Sequence, residues 1–299
     1  MSEHSTADYE NFHEAKPHGD TVFPFNIYPC SIPQMFPEVL IHWHEDMEII
    51  YIKKGSGIVT VDAQSRALSA PSVVFILPGQ LHAIRQQEKE QMEYENIIFH
   101  PRLLVSAGSE LFYREYLLPL LEGMVQIPTF LTPEDTRFTS LTEPLDACDR
   151  EAGEKGKAYP VFVKSQLFLL CYRLLICCPQ AGNPSQRATL DQIKPVLSYV
   201  DMHFREKICV ADAARQVGFS EAYFMHFFKE ITGKTFVSYL NEYRLSRAEM
   251  LLRTTKDSVL DIALETGFQN FSYFIRAFKQ KYGMTPMKYR SAFQREIWG

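Results

Sequence analysis

A pattern of small, glycine and aromatic residues occurs twice in the last third of the chain, and this imperfect repeat restricts the fold more than any other feature. Ala213-Ala214 and Gly218 recur 49 residues later as Ile262-Ala263 and Gly267. Each copy combines a short apolar segment, a glycine turn and a longer segment with aromatic residues at helical spacing. The repeat predicts two helix-turn-helix units, at about 210–231 and 258–281.

The longer helix of each unit has a predicted start and a predicted inner face. Ser220 and Asn270 are suited to cap these helices, because their side-chain oxygens can accept a backbone N–H. Gly233 is suited to end the first one. Aromatic residues at i, i+3 and i+4 predict the buried side. They are Phe224, Phe227, Phe228, Phe274 and Phe278.

The outer faces of these two helices have the composition expected of DNA-reading helices. A helix in the major groove reads base edges through its first two turns, while cations near its ends contact phosphates. We therefore expect Arg276 and Ser272 to contact bases, and Lys229, Lys234 and Lys279 to contact phosphates. The full predicted DNA-binding set is Ser220, Ala222, Met225, His226, Lys229, Lys234, Ser272, Tyr273, Arg276 and Lys279. A helical domain whose aromatic residues serve only as core would not explain the repetition.

One long amphipathic helix is predicted between the two units, from Phe236 to Leu252. At about 1.5 Å per residue it would be roughly 25 Å long. A rigid spacer of that length could hold two reading helices near the ~34 Å of one duplex turn.

The same region resembles the signature of the AraC/XylS family of bacterial transcription regulators, over about 190–292. The matching residues are Arg247-Ala248, Leu251-Leu252, Ile262-Ala263, Thr266-Gly267-Phe268, Tyr273-Phe274, Phe278-Lys279, Tyr282-Gly283, Thr285-Pro286 and Tyr289-Arg290. The resemblance implies seven helices, with the third and sixth as recognition helices at roughly 220–231 and 270–281. Met225 and His226 stand where relatives often carry polar or basic residues, so we expect shape fit and contacts with thymine methyl groups there.

Charge is divided unevenly along the 299 residues, although the chain as a whole has a net charge of −5. From 190 to 299 there are 16 Lys and Arg against 12 Asp and Glu, which is +4, and residues 1–189 are at −9. The basic excess lies in the repeat region, as phosphate binding requires. The length is sufficient for two domains with separate cores.

The six cysteines have no metal-type spacing, and the adjacent Cys177-Cys178 suggests either a redox switch or buried apolar residues in a reducing compartment. The first twenty residues contain acids and no apolar run, so no signal peptide is expected. The apolar stretch from Val161 to Cys178 is interrupted by polar residues and is predicted to be too short and polar to span a bilayer. A cytoplasmic protein without a membrane partner is expected.

The N-terminal half is predicted to contain a polar, flexible segment at 1–20 and then short strands within 21–105. The β-type runs are Glu48 to Lys53, Ile58 to Asp62, Ser72 to Leu77 and Tyr94 to His100, with turn residues at Lys53-Lys54-Gly55-Ser56-Gly57 and at Pro78-Gly79. Closely spaced strands of this kind are typical of a small β-barrel or a double-sheet jelly roll.

Two short motifs in this region resemble those of cupins: His42-x-His44-x₃-Glu48-x₆-Gly55 and Pro78-Gly79-x₂-His82. On an unbroken strand His42, His44 and Glu48 would share one side. The resemblance implies three readings. The four residues hold a divalent ion as in metal-binding cupins, or they line a polar effector pocket, or they brace the barrel wall. We expect the effector pocket, with no metal and no cofactor.

Three further helices are predicted at 108–122, 133–152 and 160–178, followed by a linker at 179–189. The family resemblance makes the third helix a dimer seam, whereas packing inside the same chain is the alternative. The seam residues would be Phe162, Leu167, Leu170, Leu174 and Leu175. The expected fold class is thus α+β and multidomain. It has an N-terminal cupin-like β-barrel (jelly roll), an accessory helical region at 106–178 and a C-terminal all-α domain with two helix-turn-helix units.

Taken together, these patterns predict a homodimeric transcription factor, an activator, that binds double-stranded DNA and a small-molecule effector such as a sugar or related metabolite. RNA polymerase is a further candidate partner. No catalytic set can be argued from spacing. The alternatives are a metal-dependent cupin enzyme fused to a DNA-binding tail, and a regulator that needs no ligand.

Overall fold

The computed structural model describes residues 23–35, 38–62, 64–105, 110–153, 156–178 and 191–298. These residues fall into two compact units, one before and one after the boundary between Thr189 and Leu190. The predicted flexible segment 1–20 and the predicted linker 179–189 lie outside the described residues.

An antiparallel, eight-stranded sheet forms the framework of the first unit. Its strands are β1 (Phe25–Ile32), β2 (Glu38–His42), β3 (Met47–Val61), β4 (Gln64–Ser69), β5 (Ser72–Ile76), β6 (His82–Gln86), β7 (Met92–Phe99) and β8 (Phe130–Leu131). The main path is β1-β7-β3-β5-β8, while β4 and β6 pair with β3, and β2 pairs with β6. The sequence prediction found β5 and β7 and missed β1, β2, β4, β6 and β8.

The predicted turn at 53–57 is wrong, because β3 continues through it. The first half of β3 pairs with β5 and β7, and the second half, from Ser56 onward, pairs with β4 and β6. The bend lies at Gly55, whose φ is +71° and whose added Cβ would lie 1.8 Å from the Gln91 carbonyl oxygen. Glycine is required here by a close backbone approach within a bent strand rather than by a chain reversal.

Helices complete the first unit. They comprise a 3₁₀ turn (Pro101–Leu104), α1 (Glu110–Phe112), a π turn (Tyr113–Leu117), α2 (Leu118–Leu121), α3 (Phe138–Ala152) and α4 (Tyr159–Cys177). The predicted helices 108–122 and 160–178 are confirmed in their described parts, and the predicted helix 133–152 begins only at Phe138. One core joins strand residues such as Ile49 and Phe75 to Leu145 of α3 and Leu170 of α4.

The predicted dimer seam on α4 is wrong for most of its residues. Leu167, Leu170 and Leu174 are buried in the core of their own unit, and Leu175 packs against that core. Phe162 is half-buried. The exposed apolar residues of α4 are instead Val161, Phe168, Tyr172 and Ile176.

The apolar character of α4 was also underestimated. With 19 residues and a mean hydropathy of 1.5, α4 has the length and composition of a membrane-spanning helix. Of its most apolar stretch, 28% is buried inside the unit. A helix that supplies Val163, Leu167 and Leu170 to a core reaches the same hydropathy without a bilayer.

The cysteines form no disulfide. Four of them are buried and Cys177 is half-buried, so the adjacent pair is confirmed as largely enclosed thiols. Cys209 differs because it is exposed, and its Sγ lies 2.8 Å from Oδ2 of Asp212.

Seven helices occupy the described residues 191–298, the number that the family resemblance implies. They are α5 (Lys194–His203), α6 (Val210–Gln216), α7 (Glu221–Thr232), α8 (Phe236–Thr254), α9 (Val259–Glu265), α10 (Phe271–Tyr282) and α11 (Pro286–Trp298). α6 and α7 form the first helix-turn-helix unit, and α9 and α10 form the second. The connecting helix α8 has 19 residues, or about 28 Å of length.

Candidate nucleic-acid interface and buried histidine cluster

The local signals at both ends of the reading helices are confirmed. Ser220 Oγ accepts the Tyr223 N–H at 3.4 Å at the start of α7, and Asn270 Oδ1 accepts the Tyr273 N–H at 2.9 Å at the start of α10. Gly233 and Gly283 end these helices with φ of +72° and +75°. Each glycine occupies the left-handed conformation typical of a helix C-terminus.

The inner faces of α7 and α10 are also confirmed. Their aromatic residues are buried and contact one another and the connecting helix; for example, the Phe228 ring lies 5.1 Å from the Tyr239 ring of α8. In the second helix-turn-helix unit Phe274 and Phe278 are fully buried, with ring centroids 5.8 Å apart. Because these stripes face inward, the opposite faces of both helices are left exposed.

The structure places nine of the ten predicted DNA-binding residues at exposed positions. They are Ser220, Ala222, Met225, His226, Lys229, Ser272, Tyr273, Arg276 and Lys279. The exception is Lys234, which is half-buried and paired with the carboxylate of Glu242. Tyr223, which the sequence prediction did not include, is also exposed on α7 beside Met225, at 57%.

Three of these cations have no described ion pair: Lys229, Arg276 and Lys279. His226, by contrast, lies 3.6 Å from Glu230, one turn further along α7. The outer face of α10 therefore presents two cations with no described anionic partner, whereas the outer face of α7 is mainly apolar near Met225.

A set of contacts, called the clamp here, joins the turn of the second helix-turn-helix unit to the segment that precedes the first helix-turn-helix unit. Arg244 of α8 donates from Nε to the Phe204 carbonyl oxygen at 2.8 Å and from a terminal nitrogen to the Glu206 carbonyl oxygen at 2.6 Å. Gly267 packs against the same Phe204 carbonyl. Arg205 and Glu265 add an exposed ion pair at 3.3 Å. These contacts connect the two helix-turn-helix units to each other and not only to α8.

The four cupin-motif residues of the first unit converge in one buried cluster. His42, His44, Glu48 and His82 are each at most 4% exposed, and their potential ligand atoms all lie within 4.8 Å of one another. The condition of an unbroken strand is not met, because β2 ends at His42 and β3 begins only at Met47. The turn between the strands nevertheless brings His44 back toward Glu48.

Backbone carbonyls orient all three imidazoles. The Nδ1 atoms of His42, His44 and His82 lie 3.0, 3.0 and 2.9 Å from the carbonyl oxygens of Leu40, Asp46 and Gln80, respectively. Hydrogen bonds of this kind fix the proton on Nδ1 and turn Nε2 toward the interior, as is typical of metal-ligating histidines.

Two of the inward nitrogens meet one carboxylate oxygen. Glu48 Oε2 lies 2.6 Å from His44 Nε2 and 3.0 Å from His82 Nε2. Because both nitrogens of His44 face oxygen acceptors, this ring needs either two protons or a cation next to Nε2. His82 Nε2 is buried and makes no hydrogen bond.

The cluster also alters the proton affinities of its members. Burial lowers the pKa of His42 well below 6.5, and neighbouring His82 acts in the same direction. Burial alone would raise the pKa of Glu48, but the charge of His82 and the hydrogen bond with His44 hold that pKa well below 4.5. Glu48 is therefore a buried carboxylate among imidazoles, which is a donor set suited to a divalent transition metal.

Comparison with known proteins assigns both units. Residues 213–292 match the family described as "Helix-turn-helix domain", and residues 29–170 match the family described as "AraC-like ligand binding domain". The Transposon Tn10 TetD protein of Escherichia coli is 35% identical over 106 residues, which cover 36% of this chain and 75% of TetD. The chain belongs to the AraC family of transcriptional regulators.

Two relatives align along most of this AraC-family chain. The uncharacterized HTH-type transcriptional regulator YdeC of Bacillus subtilis is 23% identical over 283 residues, covering 94% of this chain and 96% of YdeC. The HTH-type transcriptional activator RhaR of Mannheimia succiniciproducens is 24% identical over 260 residues, covering 86% and 89%. The AraC-family chain is a DNA-binding regulator with a ligand-binding domain, and both relatives are named as regulators rather than as enzymes.

Proposed function

We propose that this regulator activates transcription in the cytoplasm in response to a small polar effector. The observation that carries the proposal is the pair of exposed reading faces on α7 and α10, in one unit of a chain whose other unit is of the AraC-like ligand-binding type. An effector regulates such a protein only by binding one arrangement of it more tightly than another.

The DNA contacts follow from the exposed faces. Arg276 and Ser272 are proposed to contact bases, and Lys229 and Lys279 to contact phosphates on either side of the groove. Ser220, Ala222, Met225, His226 and Tyr273 complete the proposed surface. Lys234 is assigned a weaker phosphate contact, because Glu242 already neutralises its charge.

Arg276→Ala tests this assignment. A duplex is first selected from a random library with the wild-type chain, and binding is then measured by fluorescence anisotropy. We expect a loss of about 1–3 kcal/mol for the selected duplex and a smaller loss for unrelated DNA. The control is Arg66→Ala, which removes the same charge from an exposed strand of the first unit. Equal losses for both variants would contradict base contact by Arg276.

We propose that the effector is a sugar or related metabolite, because imidazoles and a carboxylate can exchange hydrogen bonds with hydroxyl groups. His42, His44, Glu48 and His82 are its proposed polar contacts. A thermal shift of the full chain against a panel of sugars and sugar acids tests this. A shift that is lost in His82→Ala supports it, and no shift with any compound supports a regulator that needs no ligand.

The cluster favours a second candidate, a divalent metal in the sensor. The buried His82 Nε2 without a hydrogen bond and the three anchored Nδ1 atoms fit a metal held by His42, His44, Glu48 and His82. Such an ion would supply a Lewis-acidic site for oxygen atoms of an effector. Metal analysis of protein purified without added ions tests this: stoichiometric metal that is lost in His44→Ala supports the candidate, and metal-free protein contradicts it.

We also propose a homodimer that uses the exposed apolar face of α4. Val161, Phe168, Tyr172 and Ile176 line that face, and the Phe112 ring extends it at 5.9 Å from the Phe168 ring. The proposed domains are 21–105, 106–178 and 190–292, joined by the linker 179–189. RNA polymerase is a proposed partner, since the relative RhaR is named as an activator.

A further inference from the structure

A small polar pocket of about 150 Å³ lies at the N-terminus of α10, inside the DNA-binding unit. Residues from three separate parts of the chain line it. The lining includes Lys207, Asn241, Arg244, Asn270 and Tyr273. The space is sufficient for several water molecules or for one phosphate group.

The pocket is positively charged. Lys207 is exposed, and no ion pair is described for it. Arg244 is partly buried and donates to two carbonyl oxygens, which are neutral partners. No carboxylate lines the pocket, and the nearby Glu206 side chain lies 3.3 Å from His203 instead. Two cations without an anionic partner therefore face one space.

The helix end adds donors to these cations. Asn270 Oδ1 accepts the Tyr273 N–H, and the N–H groups of Phe271 and Ser272 precede the first bond within the helix. α10 has 12 residues, so its N-terminus has the partial positive charge of a full helix. The Asn241 amide, which donates to Tyr273 Oη at 3.2 Å, also lines the pocket.

The pocket opens beside the reading face. Tyr273 lines the pocket and is also 43% exposed on the outer side of α10. When the first turns of a recognition helix contact bases, the phosphates that flank the groove lie next to the helix N-terminus.

We propose that this pocket binds one phosphate of the DNA backbone, held by Lys207, Arg244 and the N-terminus of α10. Lys207 precedes α6 of the first helix-turn-helix unit, whereas α10 belongs to the second, so both units bind the same phosphate. This contact fixes the position of α10 in its groove. The inference rests on the proposed DNA-binding mode and adds residues that the repeat does not predict.

The test uses the full chain and the selected duplex, with a single neutral methylphosphonate placed at successive positions. At one position the wild-type chain loses affinity roughly tenfold, as expected for one charged hydrogen-bonded contact. Lys207→Gln weakens binding to unmodified DNA, lowers the salt slope by about 1 and shows no further loss at that position.

Lys256→Gln is the matched control. Lys256 lies 49 residues after Lys207, at the equivalent place before α9, is exposed and does not line the pocket. At the position where a methylphosphonate does not weaken binding by Lys207→Gln, it should weaken binding by Lys256→Gln as much as it weakens binding by the wild-type chain. Inorganic phosphate is not expected to raise the melting temperature of the chain, because a free anion lacks the effective concentration that the other DNA contacts give to a backbone phosphate.

Three outcomes overturn the inference. In the first, Lys207→Gln keeps the wild-type loss at every position, and in the second it binds unmodified DNA with wild-type affinity and salt slope. In the third, inorganic phosphate stabilises the wild-type chain but not Lys207→Gln, which would indicate a site for a free anion. Failure of the wild-type chain to select any duplex would contradict the DNA-binding function itself.

Discussion

A Cβ atom added to Gly267 would lie 2.3 Å from the carbonyl oxygen of Phe204. The equivalent glycine of the first helix-turn-helix unit, Gly218, has open space around the position of an added Cβ atom. Both have positive φ, of +84° and +69°. The two turns therefore share a backbone conformation but not an environment. Only the turn at Gly267 packs against the segment that leads into the first helix-turn-helix unit.

Gly267→Ala is expected to destabilise the DNA-binding unit more than Gly218→Ala does. Both variants force an alanine into the left-handed region, at a cost of roughly 1–2 kcal/mol. Gly267→Ala must also displace the Phe204 carbonyl or the Arg244 side chain, and the excess should be at least about 1 kcal/mol. Urea denaturation of both variants measures the difference. Equal losses of stability would mean that the Phe204 carbonyl and the Arg244 side chain can move aside without a further loss of stability, which would contradict the prediction.

Glu249 should make stability depend on pH. Burial raises the pKa of this carboxyl above 4.5, against the opposing effects of Tyr289, Arg253 and Lys281. A raised folded-state pKa favours the protonated folded form, so the stabilisation is complete below pH 4.5 and is lost as pH rises through the folded-state value. Glu249→Gln retains an acceptor for Tyr289 Oη, which lies 2.7 Å from Glu249 Oε1.

The pH test compares urea denaturation of the wild-type chain and of Glu249→Gln between about pH 4 and 8. The free energy of unfolding of the wild type should fall relative to that of the variant as pH rises above 4.5. A difference between the two proteins that stays constant across this range would contradict a raised pKa.

Tyr172→Glu should dissociate the proposed dimer without unfolding the first unit. Tyr172 is 58% exposed on α4, so a carboxylate there is solvated in the monomer but buried in an interface. Analytical ultracentrifugation should show a shift from dimer to monomer with an unchanged melting temperature. Met124→Glu is the control, because Met124 is a 48% exposed apolar residue outside α4. A wild-type chain that sediments as a monomer at all concentrations would contradict the interface.

Met225→Ala should weaken readout by α7 through lost apolar contact. The residue is 51% exposed on α7 and has no charge, so the salt dependence of binding should stay unchanged. If Met225 contacts a thymine methyl group, the loss is roughly 1 kcal/mol. Replacing individual thymines of the selected duplex by uracil checks this. At one position the wild-type chain should lose affinity and Met225→Ala should not.

The helical half was predictable because its signals are local. Capping by Ser220 and Asn270 connects residues three apart, and the aromatic spacing that buries Phe224 and Phe228 acts within one turn. Each unit shows these signals independently, and their repetition made the helix-turn-helix assignment firm. The helix bounds accordingly differ from the prediction by one or two residues.

The sequence by itself determined the two reading helices and the residue types of the histidine motif. Only the tertiary structure decided that β3 continues through Gly55, that Leu167, Leu170 and Leu174 of α4 face inward, and that Lys207 meets the N-terminus of α10. The physical reason is separation along the chain. An amphipathic pattern shows that a face is apolar but not which surface covers it, and a pocket between residues 207, 241 and 273 leaves no periodic trace. Such contacts exist only once the chain has packed.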